Sequence, residues 1–218
     1  MSRFTDLFRR RRTPVLEPAG TRLGTDDGFR AVVDARASIY PSGTPRRVEF
    51  WIGGEDRWYA PAVEAAVRQD RPGPAPVLVT RMRVAGGDVV ATTWATLASG
   101  SSGAAVVVEL VNETPVPVAV AVTVQAAQGG ALRRIAVDGR RLEVDGETAL
   151  VVDREPGRYA IVDAADDLWE TVTSGRAVLE VPEPIKPSLI HLSAPTTLRR
   201  SSHAVFCFKK KHKPTPTT

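Results

Sequence analysis

Residues 116–124 read VPVAVAVTV, so valine occupies every second position from Val116 to Val124. Successive side chains of an extended strand point to opposite faces of a sheet, and a period of two therefore indicates a strand. β-Branched valine also favours the extended backbone. The stretch predicts a central strand whose valine face points into a core, with the small residues Ala119 and Ala121 on the opposite face.

The same period of two gives ten further candidate strands. They are predicted at 29–34, 46–52, 77–84, 89–97, 104–112, 132–137, 141–144, 149–153, 159–162 and 177–181, in addition to a central strand at 116–126. The pairs Asp138-Gly139 and Asp145-Gly146 supply residues that accept positive φ, which a tight type I′ hairpin needs. Residues 132–162 are therefore expected to form a meander of four short antiparallel strands.

Helix is predicted at only two places. Residues 61–69 are rich in alanine and can form two turns at most before the helix-breaking run Arg71-Pro72-Gly73-Pro74, and residues 166–172 can form one more turn that carries Trp169. Many strands without long helices between them favour antiparallel sheets over parallel βαβ units. The sequence therefore predicts an all-β protein, built as a large two-sheet antiparallel β-sandwich with one or two short helical turns.

Two unlike compositions are joined in this chain. All five lysines lie at or beyond Lys186, whereas 22 of the 24 arginines and all 25 carboxylates precede it. Residues 1–185 carry a net charge of −3 and residues 186–218 carry +7, so the tail alone makes the chain basic. A change of reading frame explains this shift together with the tail's single cysteine and three histidines. A native basic arm is the alternative.

The composition divides the chain into three segments. Residues 1–19 form a basic, amphipathic segment that either packs on its own domain or contacts a membrane surface or an acidic partner. Residues 20–185 form the β-sandwich domain, which is expected to fold without the tail. Residues 186–218 are interrupted by proline and carry few apolar groups, so they are predicted to be disordered.

The location of the protein is predicted from two absences in the sequence. Residues 9–12 are four arginines, but Thr13 and Pro14 follow where the apolar part of an export signal would lie. The most apolar region is interrupted by Glu109 and Glu113 before it reaches the roughly 18 residues of a membrane span. The chain is therefore expected to be cytoplasmic, with no transmembrane segment.

Several of these segments resemble a known family. The strand at 77–84 with Gly86-Gly87-Asp88, the strands around the turn at 112–118 and the Asp-Gly meander are similar to the N-terminal β-supersandwich domain of bacterial glucoamylase-like (six-hairpin glycosidase-like) proteins. The resemblance covers about residues 20–184 and consists of strand order and turn style. It implies a supersandwich-like fold whose partner is a C-terminal helical barrel, missing from this chain. The family's catalytic carboxylates belong to that barrel, so none is carried over.

Catalytic chemistry is not indicated by the residues before the tail. They include no histidine and no cysteine, which excludes Ser-His-Asp, Cys-His and the commonest zinc sites there. The acid pairs Asp26-Asp27 and Asp166-Asp167 are chain neighbours, so neither forms by itself the facing pair of a glycosidase. The glycine-rich loop at 99–103 is followed by no lysine, unlike a phosphate-binding loop. We expect no enzymatic activity, no cofactor and no metal.

Aromatic side chains around the turn at 53–56 are the remaining recognition candidates. Exposed rings there can stack on the faces of sugars while neighbouring acids accept hydrogen bonds from hydroxyls. The alternative is that the rings fill the core, as large aromatic residues mostly do. Trp94 and Trp169 are core or interface candidates on the same grounds. The candidate residues for contact with a glycan or a partner are Trp51, Glu55, Asp56, Trp58 and Tyr59.

Two functional hypotheses follow. The first is a non-catalytic β-sandwich module, truncated from the N-terminus of a carbohydrate-active, glycosidase-like protein, that docks against the missing helical domain. The alternative is an autonomous protein- or glycan-binding β-sandwich with a basic C-terminal arm. The run Lys209-Lys210-Lys211-His212-Lys213 contacts phosphates through charge alone, so no specific nucleic-acid partner is expected.

Overall fold

The structure is a computed structural model. It describes residues 18–26, 28–97, 104–127, 130–153, 155–162, 165–174 and 203–210. These residues form fifteen strands and one helix. In chain order they are β1 (Thr21–Gly24), β2 (Arg30–Val33), β3 (Ile39–Pro41), β4 (Arg46–Gly53), β5 (Trp58–Tyr59), β6 (Val67–Asp70), β7 (Val77–Val84), β8 (Gly87–Leu97), β9 (Ala104–Asn112), β10 (Val118–Ala126), β11 (Ile135–Asp138), β12 (Arg141–Val144), β13 (Glu147–Val151), β14 (Arg158–Val162), α1 (Ala165–Thr173) and β15 (His203–Lys210).

The strands form three antiparallel sheets. The large sheet has the order β1-β2-β3-β4-β10-β15-β14, with β5 added beside β4; the small sheet has the order β6-β7-β8-β9; the third has the order β11-β12-β13. The large and small sheets pack face to face, with Phe50 and Ile52 of β4 in one apolar cluster with Met82 of β7 and Ala91 of β8. The predicted all-β antiparallel sandwich is confirmed.

Strand β10 confirms the valine pattern and adds a second buried face. Val118, Val120 and Val124 are buried on the inner face of the large sheet, which is the face turned towards the other two sheets. The opposite face, which we call the outer face, is buried at β10 as well, at Ala121, Thr123 and Gln125. A single alternating strand is therefore covered on both sides, which the sequence pattern does not predict.

The third sheet contains the Asp-Gly hairpins. Asp145 and Gly146 both have positive φ, at 57° and 84°, as a type I′ turn requires. In the other hairpin Gly139 alone has positive φ, and Asp138 pairs with Arg141, which is the type II′ pattern rather than the predicted type I′. Only three of the four predicted strands form this sheet, because β14 pairs with β15 in the large sheet instead.

The two predicted helical regions have different outcomes. Helix α1 confirms the turn predicted at 166–172, but residues 61–69 form a turn and then strand β6. Val67 of that strand pairs with Met82 of β7, so pairing with an existing strand outweighs the helical preference of the alanines. Among the described residues, no helix has the length and apolar character that a membrane crossing requires.

Part of the tail is not disordered. Residues 203–210 form β15, which lies between β10 and β14 and pairs antiparallel with both. The run Val205-Phe206-Cys207-Phe208 is a good β-former, and β10 offers it a second edge to pair with, which a composition argument does not detect. The prediction of disorder is therefore wrong for these eight residues. The rest of the tail, residues 1–17 and the strand predicted at 177–181 lie outside the described residues.

Candidate functional site

The hairpin between β4 and β5 contains the five residues singled out in the sequence. Ile52 pairs with Tyr59 and Gly53 with Trp58, and the N–H of Gly54 donates to the carbonyl oxygen of Arg57 at 2.9 Å. The structure divides the five candidates into three environments. Trp51 and Tyr59 are buried, Trp58 is half-buried, and Glu55 and Asp56 are exposed.

Tyr59 is a core residue that also fastens the hairpin turn. Its ring lies in the apolar cluster between the sheets. Its hydroxyl donates to Oδ2 of Asp56 at 2.7 Å and accepts from the N–H of Ala85 at 3.1 Å. This hydrogen bond raises the pKa of Tyr59 and lowers the pKa of Asp56 below its usual value. Tyr59 and Asp56 therefore hold the turn to the core through one hydrogen bond, and the Tyr59 ring is buried, not exposed on the surface.

The other charges of the turn are engaged within the protein. The guanidinium of Arg57 lies 3.9 Å from the centre of the Tyr59 ring and forms a two-point ion pair with Glu64. The hydrogen bond to Glu64 raises the pKa of Arg57 further above its usual value. Nη1 of Arg36 donates to the carbonyl oxygen of Glu64. These interactions fix the turn to the rest of the protein. Glu55 is exposed and takes part in neither the ion pair nor these hydrogen bonds.

Three of the four tryptophans of the chain come together on the outer face of the large sheet. The rings of Trp51 and Trp169 lie with their centres 5.1 Å apart and their planes tilted by 55°, a favourable arrangement for aromatic pairs. Trp58 packs against the same cluster. Trp169 of helix α1 is 41% exposed, so this group reaches the surface. We refer to Trp51, Trp58 and Trp169 as the tryptophan cluster.

Two features of the backbone allow the cluster to form. A Cβ on Gly53 would lie only 3.0 Å from the indole of Trp58, so glycine lets that ring lie against β4. Leu168 and Val172 are one helical turn apart and are buried beneath α1 against Ala121 of β10. Helix α1 is thereby fixed over the outer face. The sequence indicates Trp51 and Trp58 because they lie near one turn. Trp169 joins them only through the docking of α1 on this face, which no local sequence pattern predicts.

A layer of polar side chains lies beside the tryptophan cluster on the same outer face. We call it the polar layer, and Glu49 is its centre. Glu49 is only 6% exposed, yet it accepts hydrogen bonds from Ser38 Oγ at 3.0 Å, from Gln125 Nε2 at 3.0 Å and from Trp51 Nε1 at 3.3 Å. Arg47 donates through Nη2 to Gln125 Oε1 at 2.6 Å. The alternation of Arg47, Glu49 and Trp51 places these three side chains on one face of β4, but it does not indicate that Ser38 and Gln125 meet them there.

A second apolar surface lies on the far side of the small sheet. Val77, Trp94 and Val107 are aligned across three strands on the face turned away from the core. At the opposite end the face is charged, with ion pairs of Arg83 with Asp88 and of Arg81 with Glu113. Trp94, predicted as a core or interface residue, is half-buried on this face.

Other candidate sites are less developed. A shallow cavity of about 260 Å³ at the edge of the large sheet is lined by Arg22, Arg30, Ala31 and Ser42. Within the described part of the chain, no group of three or more histidine, cysteine, aspartate or glutamate side chains could hold a metal ion. Asp166 and Asp167 belong to helix α1, whereas Asp27 and the loop at 99–103 lie outside the described residues.

No family model, no curated protein and no solved structure matches this chain.

Proposed function

We propose that this chain is a non-catalytic β-sandwich module that binds carbohydrate through the tryptophan cluster. The observation that carries the proposal is the convergence of three tryptophans on one outer face, with Trp169 reaching solvent. A sugar ring has an apolar C–H face, and stacking it on an indole removes apolar area from water on both sides. The resemblance to domains of glycosidase-like proteins points to the same class of ligand.

The arrangement around the cluster suits a ligand that is apolar on its face and polar on its rim. Trp58 and Trp169 offer the ring surfaces, and Trp51 lies beneath them as support. Glu55 is exposed in the turn that leads to Trp58 and can accept hydrogen bonds from hydroxyl groups. A few placed polar groups around an apolar surface are the usual composition of a ligand site.

The test is a titration of the full chain with soluble α-glucan oligosaccharides of increasing length, followed by tryptophan fluorescence. We expect a saturable change that is weakened at least tenfold in Trp169→Ala and is unchanged in Trp94→Ala, the matched control on the small sheet. The proposal is overturned if the wild type shows no saturable change, or if Trp169→Ala binds as well as the wild type. Release of shorter sugars by the wild type would contradict the non-catalytic part.

A second candidate function is docking against a helical partner domain. It is favoured by the row of Val77, Trp94 and Val107 on the far side of the small sheet, together with Val111, which is 43% exposed on the same face. Contiguous apolar surface on a sheet face is a feature of protein–protein interaction sites.

The docking function is tested by placing a charge on that face. Val107→Lys is expected to reduce the binding of a hydrophobic dye and any self-association of the chain, because it disrupts the apolar row. Glu109→Lys, two residues further along the same face, is the matched control and is expected to change neither. Equal behaviour of the two variants would remove the support for docking.

A further inference from the structure

We infer that Glu49 is the positioning residue of the tryptophan cluster: it fixes the indole of Trp51, and through that indole it sets the position of Trp169. In its consequence for ligand binding this inference rests on the proposed function. The claim that Glu49 fixes the position of the two rings does not rest on the proposed function, because the arrangement of Trp51 and Trp169 can be measured without any ligand.

The first step is the saturation of the Glu49 carboxylate. Oε1 accepts from Ser38 Oγ and lies 3.1 Å from Arg47 Nε, an ion pair whose alignment falls short of a hydrogen bond. Oε2 accepts from Gln125 Nε2 and from Trp51 Nε1. The two oxygens of Glu49 thus accept three hydrogen bonds and face one cation, and a carboxylate is the side chain that can serve all four groups at once.

The second step is the cost of keeping this charge. A carboxylate that is 6% exposed is unfavourable unless it is paired and hydrogen-bonded, and an apolar residue of similar size is often no less stable in such a place. A buried charge contributes most clearly by fixing one arrangement among several. The arrangement fixed here is that of the indole, because Trp51 has a single donor and Glu49 accepts it.

The third step leads from Trp51 to the surface. Trp51 is only 5% exposed and does not itself reach a ligand. Its ring is the one that Trp169 contacts, at 5.1 Å between ring centres. Helix α1 holds Trp169 on its other side through Leu168 and Val172. A change in the orientation of Trp51 therefore moves the ring surface that the ligand is proposed to contact.

The test compares Glu49→Gln with Ser38→Ala in the full chain. Glu49→Gln replaces one acceptor oxygen by a donor, whereas Ser38→Ala removes another hydrogen bond to Glu49 and leaves the bond to Trp51 intact. Two tryptophan rings that lie close together give a coupled signal in circular dichroism that depends on their mutual angle, here 55° between the planes. We expect this signal to change in Glu49→Gln and to stay as in the wild type in Ser38→Ala, with glucan affinity falling about tenfold in the first variant only.

The outcomes separate this inference from the proposed function. If no form of the chain binds glucan, the proposed function fails, yet the dichroism still reports on Glu49. An unchanged signal in Glu49→Gln, or an equal change in Ser38→Ala, overturns the inference. If Glu49→Gln does not fold, the wild type decides: the indole N–H of Trp51 should exchange with solvent far more slowly than that of Trp169, and equally fast exchange overturns the inference.

Discussion

The two faces of the large sheet are both buried, but they are buried by different chemistry. On strand β4 the inner face carries Val48, Phe50 and Ile52 after the buried Arg46 at the start of the strand, whereas the outer face carries Arg47, Glu49 and Trp51. The inner residues are held by apolar area removed from water, which has no direction. The outer residues are held by hydrogen bonds and ring contacts, which have strict geometry. The inner face of β4 should therefore tolerate replacement of one apolar side chain by another of similar shape. The outer face should lose stability when any one hydrogen-bond partner is removed.

The largest effect is expected from removing β15, on which both faces depend. Without residues 203–218, β10 loses one of its two partners, and β14 loses its only pairing among the described strands. We expect the loss of most of the roughly 5–15 kcal/mol that stabilises a domain of this kind. Urea unfolding followed by circular dichroism measures it. Removal of 211–218 alone is the control, and equal stability of the two truncated chains would show that β15 contributes nothing.

A core substitution tests the inner face alone. Ile52 is fully buried between the sheets, so Ile52→Ala leaves a cavity and is expected to lower the free energy of unfolding by about 2–5 kcal/mol. Val63→Ala, at a site that is 74% exposed, should remain within about 0.5 kcal/mol of the wild type. Similar values for the two variants would contradict the assignment of Ile52 to the core.

A polar substitution tests the outer face. Gln125→Leu removes one hydrogen-bond partner each from Oε2 of the buried Glu49, from Oγ1 of the buried Thr123 and from the half-buried Arg47. It is expected to cost about 1–3 kcal/mol although the side chain becomes more apolar. Gln69→Leu is the matched control, because Gln69 also donates two hydrogen bonds but is only half-buried. Water can replace its bonds, so this variant is expected to lose less stability than Gln125→Leu. A stabilising Gln125→Leu would show that the outer face is held by apolar area after all.

The smallest effect is expected where the inner face meets the surface. Tyr59→Phe keeps the ring and removes the hydroxyl, so Asp56 and Ala85 lose a partner and Tm should fall by about 2–4 °C. The bond from Tyr59 lowers the pKa of Asp56, so its contribution is present above the ordinary aspartate pKa of about 3.9 and is lost as the pH falls further. Melting curves at pH 7 and pH 3 should therefore differ less between variant and wild type at pH 3.

The sequence predicts the inner face well, and the reason is physical. Burial of apolar side chains on one face leaves a period of two, as at Val118, Val120 and Val124 of β10. The same pattern places both ends of β7 and β9 of the small sheet and of β12 of the third sheet, which pack against that face. The hairpin at Asp145-Gly146 was equally predictable, because positive φ restricts which residues can stand there.

The outer face could not be predicted in the same way. Its contacts join residues far apart in the chain, such as Glu49 with Gln125 and Trp51 with Trp169, and no local pattern records them. Composition was actively misleading for the tail, because charge and residue usage describe solubility and origin, whereas strand formation by 203–210 depends on an open edge elsewhere. The tryptophan cluster was found in part, through the two members that lie near one turn.

The place of β15 in the large sheet also bears on how fast the protein folds. Its partner β10 lies far earlier in the sequence, and the strands of the third sheet, β14 and α1 are all located between the two. Pairing of distant segments is slow because the entropy of closing the long loop is lost before any favourable contact forms. Until then β10 offers an unpaired, valine-rich edge, which is a template for another chain. Refolding yield should therefore fall as protein concentration rises, and the late arrival of one strand sets that limit.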